Sequence, residues 1–250
     1  MTYQSIILAD HPLIYLRLGE ASGTVMNDSS GNGNNGVYVG SPTLGVTGAL
    51  VGNTNTAVGF DGATQVGTLG ATLQDHIPGY TSGVQQFSFE CWYKDTNVTD
   101  LNGTVFGWGD STVLSQDEDT FDFQLNDTFS TSVGNDLPTD DGAWHHFVGT
   151  YFYDGIAPAA KCYIDGVLVD TEVPGPMVAT IGKQFGVGGN CESGGNTPFY
   201  KGDLDEVAYY DFALTQSQVT THYNAGQGTF PPPASGGSSS SRNWFARGSE

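Results

Sequence analysis

Basic residues are nearly absent from this 250-residue chain: seven Lys and Arg stand against 27 Asp and Glu, for a formal net charge of −20. A nucleic-acid surface needs clustered positive charge to neutralise phosphates, so nucleic-acid binding is excluded. Adhesion to an anionic bilayer falls with it. Calcium, a neutral sugar or a basic protein partner suits such a surface. Cysteine is scarce too: Cys91, Cys162 and Cys191 have neither metal-clip nor redox spacing, so this is no disulfide scaffold. Cys91 and Cys162 fall in strand-like runs and read as buried thiols, whereas Cys191 sits in a Gly-rich loop. No apolar run is long enough to span a bilayer, so membrane insertion is not expected. Met1-Thr2-Tyr3-Gln4 lacks the basic and apolar regions of a signal peptide. The expectation is a chain folded in a cytoplasm that reaches an outer surface by another route, for example as part of a virus particle.

Long amphipathic helices need more Glu, Lys, Arg and Leu than the chain has. It has instead 36 glycines and 12% aromatics, the composition of short strands joined by tight turns. Leu13 to Glu20 alternates, with Leu13, Tyr15 and Arg17 on one side and Ile14, Leu16 and Leu18 on the other. Residues 87–94, Phe-Ser-Phe-Glu-Cys-Trp-Tyr-Lys, alternate most cleanly. Further strands are expected at 37–40, 57–61, 103–108, 120–125, 144–153, 161–165, 178–186 and 204–210. A short helix is expected over residues 2–10, ended by Pro12. A second is expected over 215–225, where Thr215 and Gln218 form a capping box and Gly226 supplies the stop. The fold class is therefore all-β, a two-sheet antiparallel sandwich with short N- and C-terminal helices. Residues 1–228 form that domain. Residues 229–241 are a Pro/Gly/Ser linker, stiff first and flexible after. Residues 242–250 are a terminal peptide in which Arg242, Trp244, Phe245 and Arg247 form a candidate docking segment for a protein partner.

At this point a family is recognisable. Tyr15-Leu16-Arg17-Leu18-Gly19-Glu20, Asp28-Ser29-Ser30-Gly31-Asn32-Gly33 and Phe60-Asp61-Gly62 come first. Phe89-Glu90-Cys91-Trp92-Tyr93-Lys94, Trp144-His145-His146-Phe147-Val148 and Tyr163-Ile164-Asp165-Gly166 follow. Gly202-Asp203-Leu204-Asp205-Glu206-Val207 runs into Tyr210-Asp211-Phe212-Ala213-Leu214-Thr215. The ordered set, over roughly residues 3–226, resembles the laminin-G-like jelly rolls of the concanavalin A-like lectin/glucanase superfamily. The resemblance implies two sheets packed face to face. It does not assign function, because this superfamily holds glycan-binding, adhesive and structural modules alike.

Asp28-x-Ser30-x-Asn32-Gly33 places oxygen side chains at alternate positions before a sharp turn, as a calcium loop does. Val39 stands where an EF-hand would have its bidentate Glu. The resemblance implies a structural calcium shared between this loop and the late strand, which maps to Asp28, Asn32, Asn34 and Asp205. The competing reading is an Asx turn without metal. Gly31-x-Gly33-x-x-Gly36 matches a dinucleotide fingerprint in letters but not in context. His145 and His146 are adjacent on a strand, so their rings face opposite sides and cannot share a metal.

Sugar hydrolysis needs two carboxylates at a set separation. The glucanases of this fold carry Glu-x-Asp-x-x-Glu or Glu-x-Asp-x-Glu, and no Glu here is followed two residues later by Asp. Asp117-Glu118-Asp119 with Asp122 reads as a solvated turn. Glycan binding needs an exposed aromatic platform with hydrogen-bonding neighbours. Phe106-Gly107-Trp108-Gly109-Asp110 offers one, with Trp108 as platform and Asp110 as acceptor, and Tyr80 and Tyr153 as second choices. A Trp108 that closes one end of the core is the alternative. The expected function is a non-catalytic lectin-like module, displayed on an assembly such as a phage virion and attaching to surface glycans. The alternatives are a structural decoration protein of a capsid or tail and, third, a glycoside hydrolase. An oligomer is compatible with all three.

Overall fold

The computed structural model describes residues 1–70, 85–95, 103–108, 112–117, 120–125, 131–133, 141–174, 184–189 and 199–230. Tyr80, Asp110, Glu118, Asp119, Cys191 and the terminal segment 231–250 lie outside the described residues. In chain order the strands are β1 (Ile14–Leu16), β2 (Val25–Met26), β3 (Gly36–Val39), β4 (Thr43–Thr47), β5 (Thr56–Asp61), β6 (Val66–Leu69), β7 (Gln85–Asp95) and β8 (Gly103–Trp108). There follow β9 (Thr112–Asp117), β10 (Thr120–Leu125), β11 (Thr131–Val133), β12 (His145–Tyr153), β13 (Pro158–Ile164), β14 (Val167–Glu172), β15 (Phe185–Val187) and β16 (Lys201–Tyr210). Helix α1 (Tyr3–Ala9) precedes them and α2 (Gln216–Gly226) follows.

The first sheet runs β14-β13-β12-β7-β16-β5-β4, with β1 also on β16. The second runs β11-β10-β9-β8-β15-β6-β3-β2. Every pair between named strands is antiparallel. Strand β7 shows how the sequence sets the layers. Phe87, Phe89, Cys91 and Tyr93 point into the space between the sheets. There Phe89 meets Phe106 of the second sheet with ring centroids 4.8 Å apart. Ser88, Glu90 and Trp92 point the other way and are buried as well. Each large apolar side chain so removed from water contributes roughly 1.5–3 kcal/mol.

The outward face of the first sheet is sealed by the two helices. Tyr3, Ile6 and Ile7 of α1 and Val219 and Ala225 of α2 pack on Trp92, Val148, Tyr163 and Tyr210. The molecule thus has three layers and two cores. Both helix starts are fixed by capping boxes: Thr2 with Ser5 in α1, and Thr215 with Gln218 in α2. The second is the one expected from sequence. A side-chain oxygen there satisfies an otherwise orphaned backbone N–H.

The expected strand over 13–20 is shorter than its alternation suggests. Only Ile14–Leu16 pairs, because Leu18 turns to φ 53° and leads the chain away. The alternation holds from Ile14 onward: Ile14, Leu16 and Leu18 enter the inter-sheet core and Tyr15 the helix-side core, whereas Leu13, expected on the Tyr15 side, packs against the inter-sheet core. Of the strand expected over 178–186, residues 175–183 lie outside the described set, and pairing is seen at Phe185–Val187. Asp165 and Gly166, both at positive φ, close the β13–β14 hairpin as the Asp-Gly pair of a tight turn.

Candidate functional site

The densest gathering of titratable side chains among the described residues is beneath the helices. Glu90 projects from the helix-side face of β7 and is fully buried. Tyr3 Oη donates to its Oε1 at 3.2 Å and Tyr210 Oη to its Oε2 at 2.8 Å. His146 Nε2 lies 2.8 Å from Oε1, and His222 Nδ1 lies 2.9 Å from Oε2. The other nitrogen of His222, Nε2, meets Asp10 Oδ2 at 2.9 Å. Trp92 Nε1 donates to Tyr3 Oη at 3.1 Å, closing the set.

With a carboxylate on each ring nitrogen, His222 is held as an imidazolium. Burial opposes its charge, but the Glu90 charge and the Asp10 hydrogen bond push its pKa up to about 9. Burial by itself raises a carboxyl pKa, yet the His222 charge and the hydrogen bonds from both histidines hold Glu90 well below the usual carboxylate range.

A second group lies alongside. Strand β16 carries a bulge where its pairing passes from β5 to β1, and Glu206 occupies it at φ 52°. Its carboxylate accepts from Tyr15 Oη, from Arg17 Nη2 at 3.1 Å and from Asn55 Nδ2 at 3.1 Å. Asp205 accepts from the Ala49 backbone N–H at 2.9 Å and from Asn55 Nδ2 at 3.3 Å. Burial raises the pKa of both carboxyls, and for Asp205 the neighbouring Glu206 charge adds to it.

Acids, bases and phenols in one place resemble catalytic machinery, but Glu90, His146, His222, Asp205 and Glu206 are each at 0% exposure. A catalytic group must come within hydrogen-bond reach of a substrate proton, and these groups are buried and taken up by protein partners. The Glu90 group ties the helices to the sheet, while Asp205 and Glu206 tie β16 to the segments that carry Tyr15, Arg17, Ala49 and Asn55. Sequence reading did not find this network, because Glu90 meets partners 56 to 132 residues away. The available signal was a Glu in the middle of the cleanest strand, on the face shared with Trp92.

The residues read as calcium ligands fall into two separate networks. Asp28 Oδ1 accepts from the backbone N–H of Tyr15 and of Ser30 at 3.0 and 2.9 Å. Its Oδ2 accepts from Ser30 Oγ and from the Asn34 backbone N–H, both at 2.8 Å. Asn32 and Asn34 turn their amide N–H groups to the Leu13 carbonyl at 3.1 and 2.9 Å. Asp205 shares no hydrogen-bond partner with this loop. A cation at Asp28 would have to displace four hydrogen-bond donors, so the donor set does not fit calcium. The loop is a hydrogen-bonded Asx turn. Among the described residues no group of three or more His, Cys, Asp and Glu side chains is arranged to hold a metal ion. The two adjacent histidines part as expected: His146 joins Glu90, while His145 faces Asp165 at 2.8 Å and Asp141 at 3.2 Å.

The aromatic platform is described only in part, through the backbone pairing of position 108 and through Tyr153. Position 108 pairs with Phe185 and Thr112, and Phe185 pairs with Leu69. Directly paired residues share a face of the sheet. Phe185 and Leu69 belong to the inter-sheet core, while the Trp108 side chain lies outside the described residues. Tyr153, a second choice, is partly buried against the same core. Its neighbour Phe152 points to the opposite face and is 40% exposed. Period-two counting along β12 contains this answer, since Phe147, Tyr151 and Tyr153 share one side and His146, Val148 and Phe152 the other.

A family model described as the concanavalin A-like lectin/glucanases superfamily, of the laminin-G type, matches residues 61–220. No curated protein matches the chain. Among solved structures, it is similar to domain 4 of an extracellular GH43 arabinanase from Geobacillus stearothermophilus, solved with arabinotriose. That likeness has 21% identity and TM-score 0.62, over 85% of this chain and 98% of the other. It is also similar to a botulinum neurotoxin type C structure whose cell entry depends on two ganglioside molecules, at 13% identity and TM-score 0.63. The match takes 88% of this chain and 53% of the toxin chain. Trypanosoma rangeli sialidase with sialic acid matches at 13% identity and TM-score 0.58, over 84% of this chain and 32% of the enzyme. At these identities the likenesses show the fold.

Proposed function

Since the chain belongs to the concanavalin A-like lectin/glucanase superfamily, we propose that it is a non-catalytic carbohydrate-binding module. The observation that carries this reading is the fate of the core carboxylates. Glu90, Asp205 and Glu206 are sealed and hydrogen-bonded, while an aromatic ring stands exposed on a central strand. A hydrolase needs two reachable carboxyl groups flanking a sugar bond, whereas a binding module needs only a stacking surface with polar neighbours. The described structural neighbours, crystallised with arabinotriose or sialic acid or dependent on gangliosides, support the ligand class by analogy of fold.

The finer reading is a module displayed on the surface of a larger assembly, such as a phage virion, with the 242–250 peptide as its attachment point. The segment beyond residue 230 holds two of the chain's seven basic residues, together with Trp244 and Phe245. Its partner is accordingly an acidic or apolar pocket.

A glycan array probed with the full chain tests the main claim. Selective binding without any release of reducing ends supports it. Hydrolysis of a bound sugar refutes the non-catalytic part. A blank array moves the assignment to a structural decoration module. Removing residues 231–250 is expected to leave sugar binding intact and to abolish attachment to the assembly.

A further inference from the structure

Phe152 combines features that no other described aromatic shares. On β12 the residues facing the helix layer are His146, Val148, Thr150 and Phe152. The first three are buried, Thr150 to 4%, whereas Phe152 is 40% exposed. Phe152 is therefore an exposed ring on a strand paired along both sides. It lies directly opposite Gln86 of β7 and Ala159 of β13. Such placement fixes the ring more firmly than a loop does.

The neighbours are suited to a sugar. Opposed Cβ atoms in an antiparallel pair lie about 4.5–5.5 Å apart, which sets Gln86 beside the ring with an amide long enough to reach a sugar stacked on it. Ala159 has a single methyl group and leaves the other edge open. One row along the same face, Thr150 pairs with Lys161, which pairs with Thr171. Lys161 and Thr171 are exposed. Past the end of β12, Ile156 of the β12–β13 turn is 87% exposed and adds apolar surface. The aliphatic face of a pyranose or furanose stacks on an aromatic ring, while its hydroxyls take bonds from an amide, an ammonium and a hydroxyl. The net charge of −20 decides the ligand's sign, because a sialylated or otherwise anionic sugar meets long-range repulsion.

We propose that Phe152, flanked by Gln86 and Lys161, is the stacking platform of a carbohydrate subsite on the outer face of the first sheet, taking one ring of a neutral oligosaccharide. The inference rests on the carbohydrate-binding reading above and gives it a place.

The full chain is applied to an array holding neutral arabino-, gluco- and galacto-oligosaccharides beside sialylated ones, and the best neutral probe is then titrated calorimetrically. Phe152→Ala is expected to weaken that probe by about ten-fold or more, and Gln86→Ala and Lys161→Ala by about two- to five-fold. Phe152→Trp, which keeps a stacking face, is expected to bind at least as well as the parent. Thermal melts of all four variants show whether they remain folded. Parent-like binding by a folded Phe152→Ala overturns the subsite while leaving the carbohydrate reading in place. Binding confined to sialylated probes overturns the neutral class. No binding by the parent chain overturns the carbohydrate reading and this inference together.

Discussion

Glu90 Oε2 on β7 and His222 Nδ1 on α2 stand 2.9 Å apart with both side chains fully buried, although 132 residues separate them in the chain. This contact, with Asp10 on the far side of the imidazole, joins the first helix, the last helix and the central strand of the first sheet.

Removing Glu90 strips the acceptor from two histidines and two tyrosines at once. Glu90→Ala leaves a buried positive charge without its partner and is expected to cost roughly 3–5 kcal/mol. Glu90→Gln keeps shape and part of the hydrogen bonding and costs less. Urea denaturation followed by tryptophan fluorescence measures both; an unchanged midpoint for Glu90→Ala contradicts the role of the network as a tie.

The same pair sets a pH response. His222 is raised from an ordinary value of 6.5 to about 9 in the folded chain, so folding tightens its hold on the proton. Its contribution is complete below about pH 6.5 and fades as pH rises to about 9, an interval corresponding to about 3 kcal/mol. Melting temperature is expected to fall across that window and the fall to flatten in His222→Gln. His145, raised first by its hydrogen bond to Asp165, adds to the slope in the same sense, and His145→Gln separates the two contributions.

Gly226 ends α2 against the Trp92 indole, where an added Cβ would collide with ring atoms Cζ2, Cε2 and Cη2. Trp92 is itself buried and cannot swing aside. Gly226→Ala is therefore expected to destabilise by about 1–3 kcal/mol despite the better helix propensity of Ala. A chemical melt of the variant decides between the two effects.

Calcium is expected to leave stability unchanged. Chelator and millimolar calcium should give superimposable thermal melts, since the Asp28 oxygens already carry four donors. Asp28→Ala is expected to lower stability by about 2 kcal/mol with or without the ion. A calcium-dependent shift in the parent would restore the metal reading.

The sandwich was legible because alternation is local. Phe87 to Lys94 and Trp144 to Tyr153 display their two faces to anyone counting by twos, and Thr215 with Gln218 announces the last helix. Short strands such as β2 and β6 escaped, since two to four residues carry too little pattern to stand out. The site was less legible for two different reasons. The Glu90 network depends on contacts across most of the chain. The glycines that flank Trp108 suggest room around a side chain but say nothing about which face of a strand it occupies. Strand register supplies that kind of information, and along β12 the sequence already held it for Phe152.

Helices α1 and α2 lie side by side, and Met1 and Phe230 line one cavity of about 210 Å³ beside Leu50 and Val51. Both ends of the domain therefore emerge at a single pole. Tension applied through those ends loads the helix pair in a peeling geometry and leaves the strands of the sandwich unsheared. Under pull the helix layer is expected to lift before the inter-sheet core opens, an order that single-molecule force measurements would read as a first, small extension step.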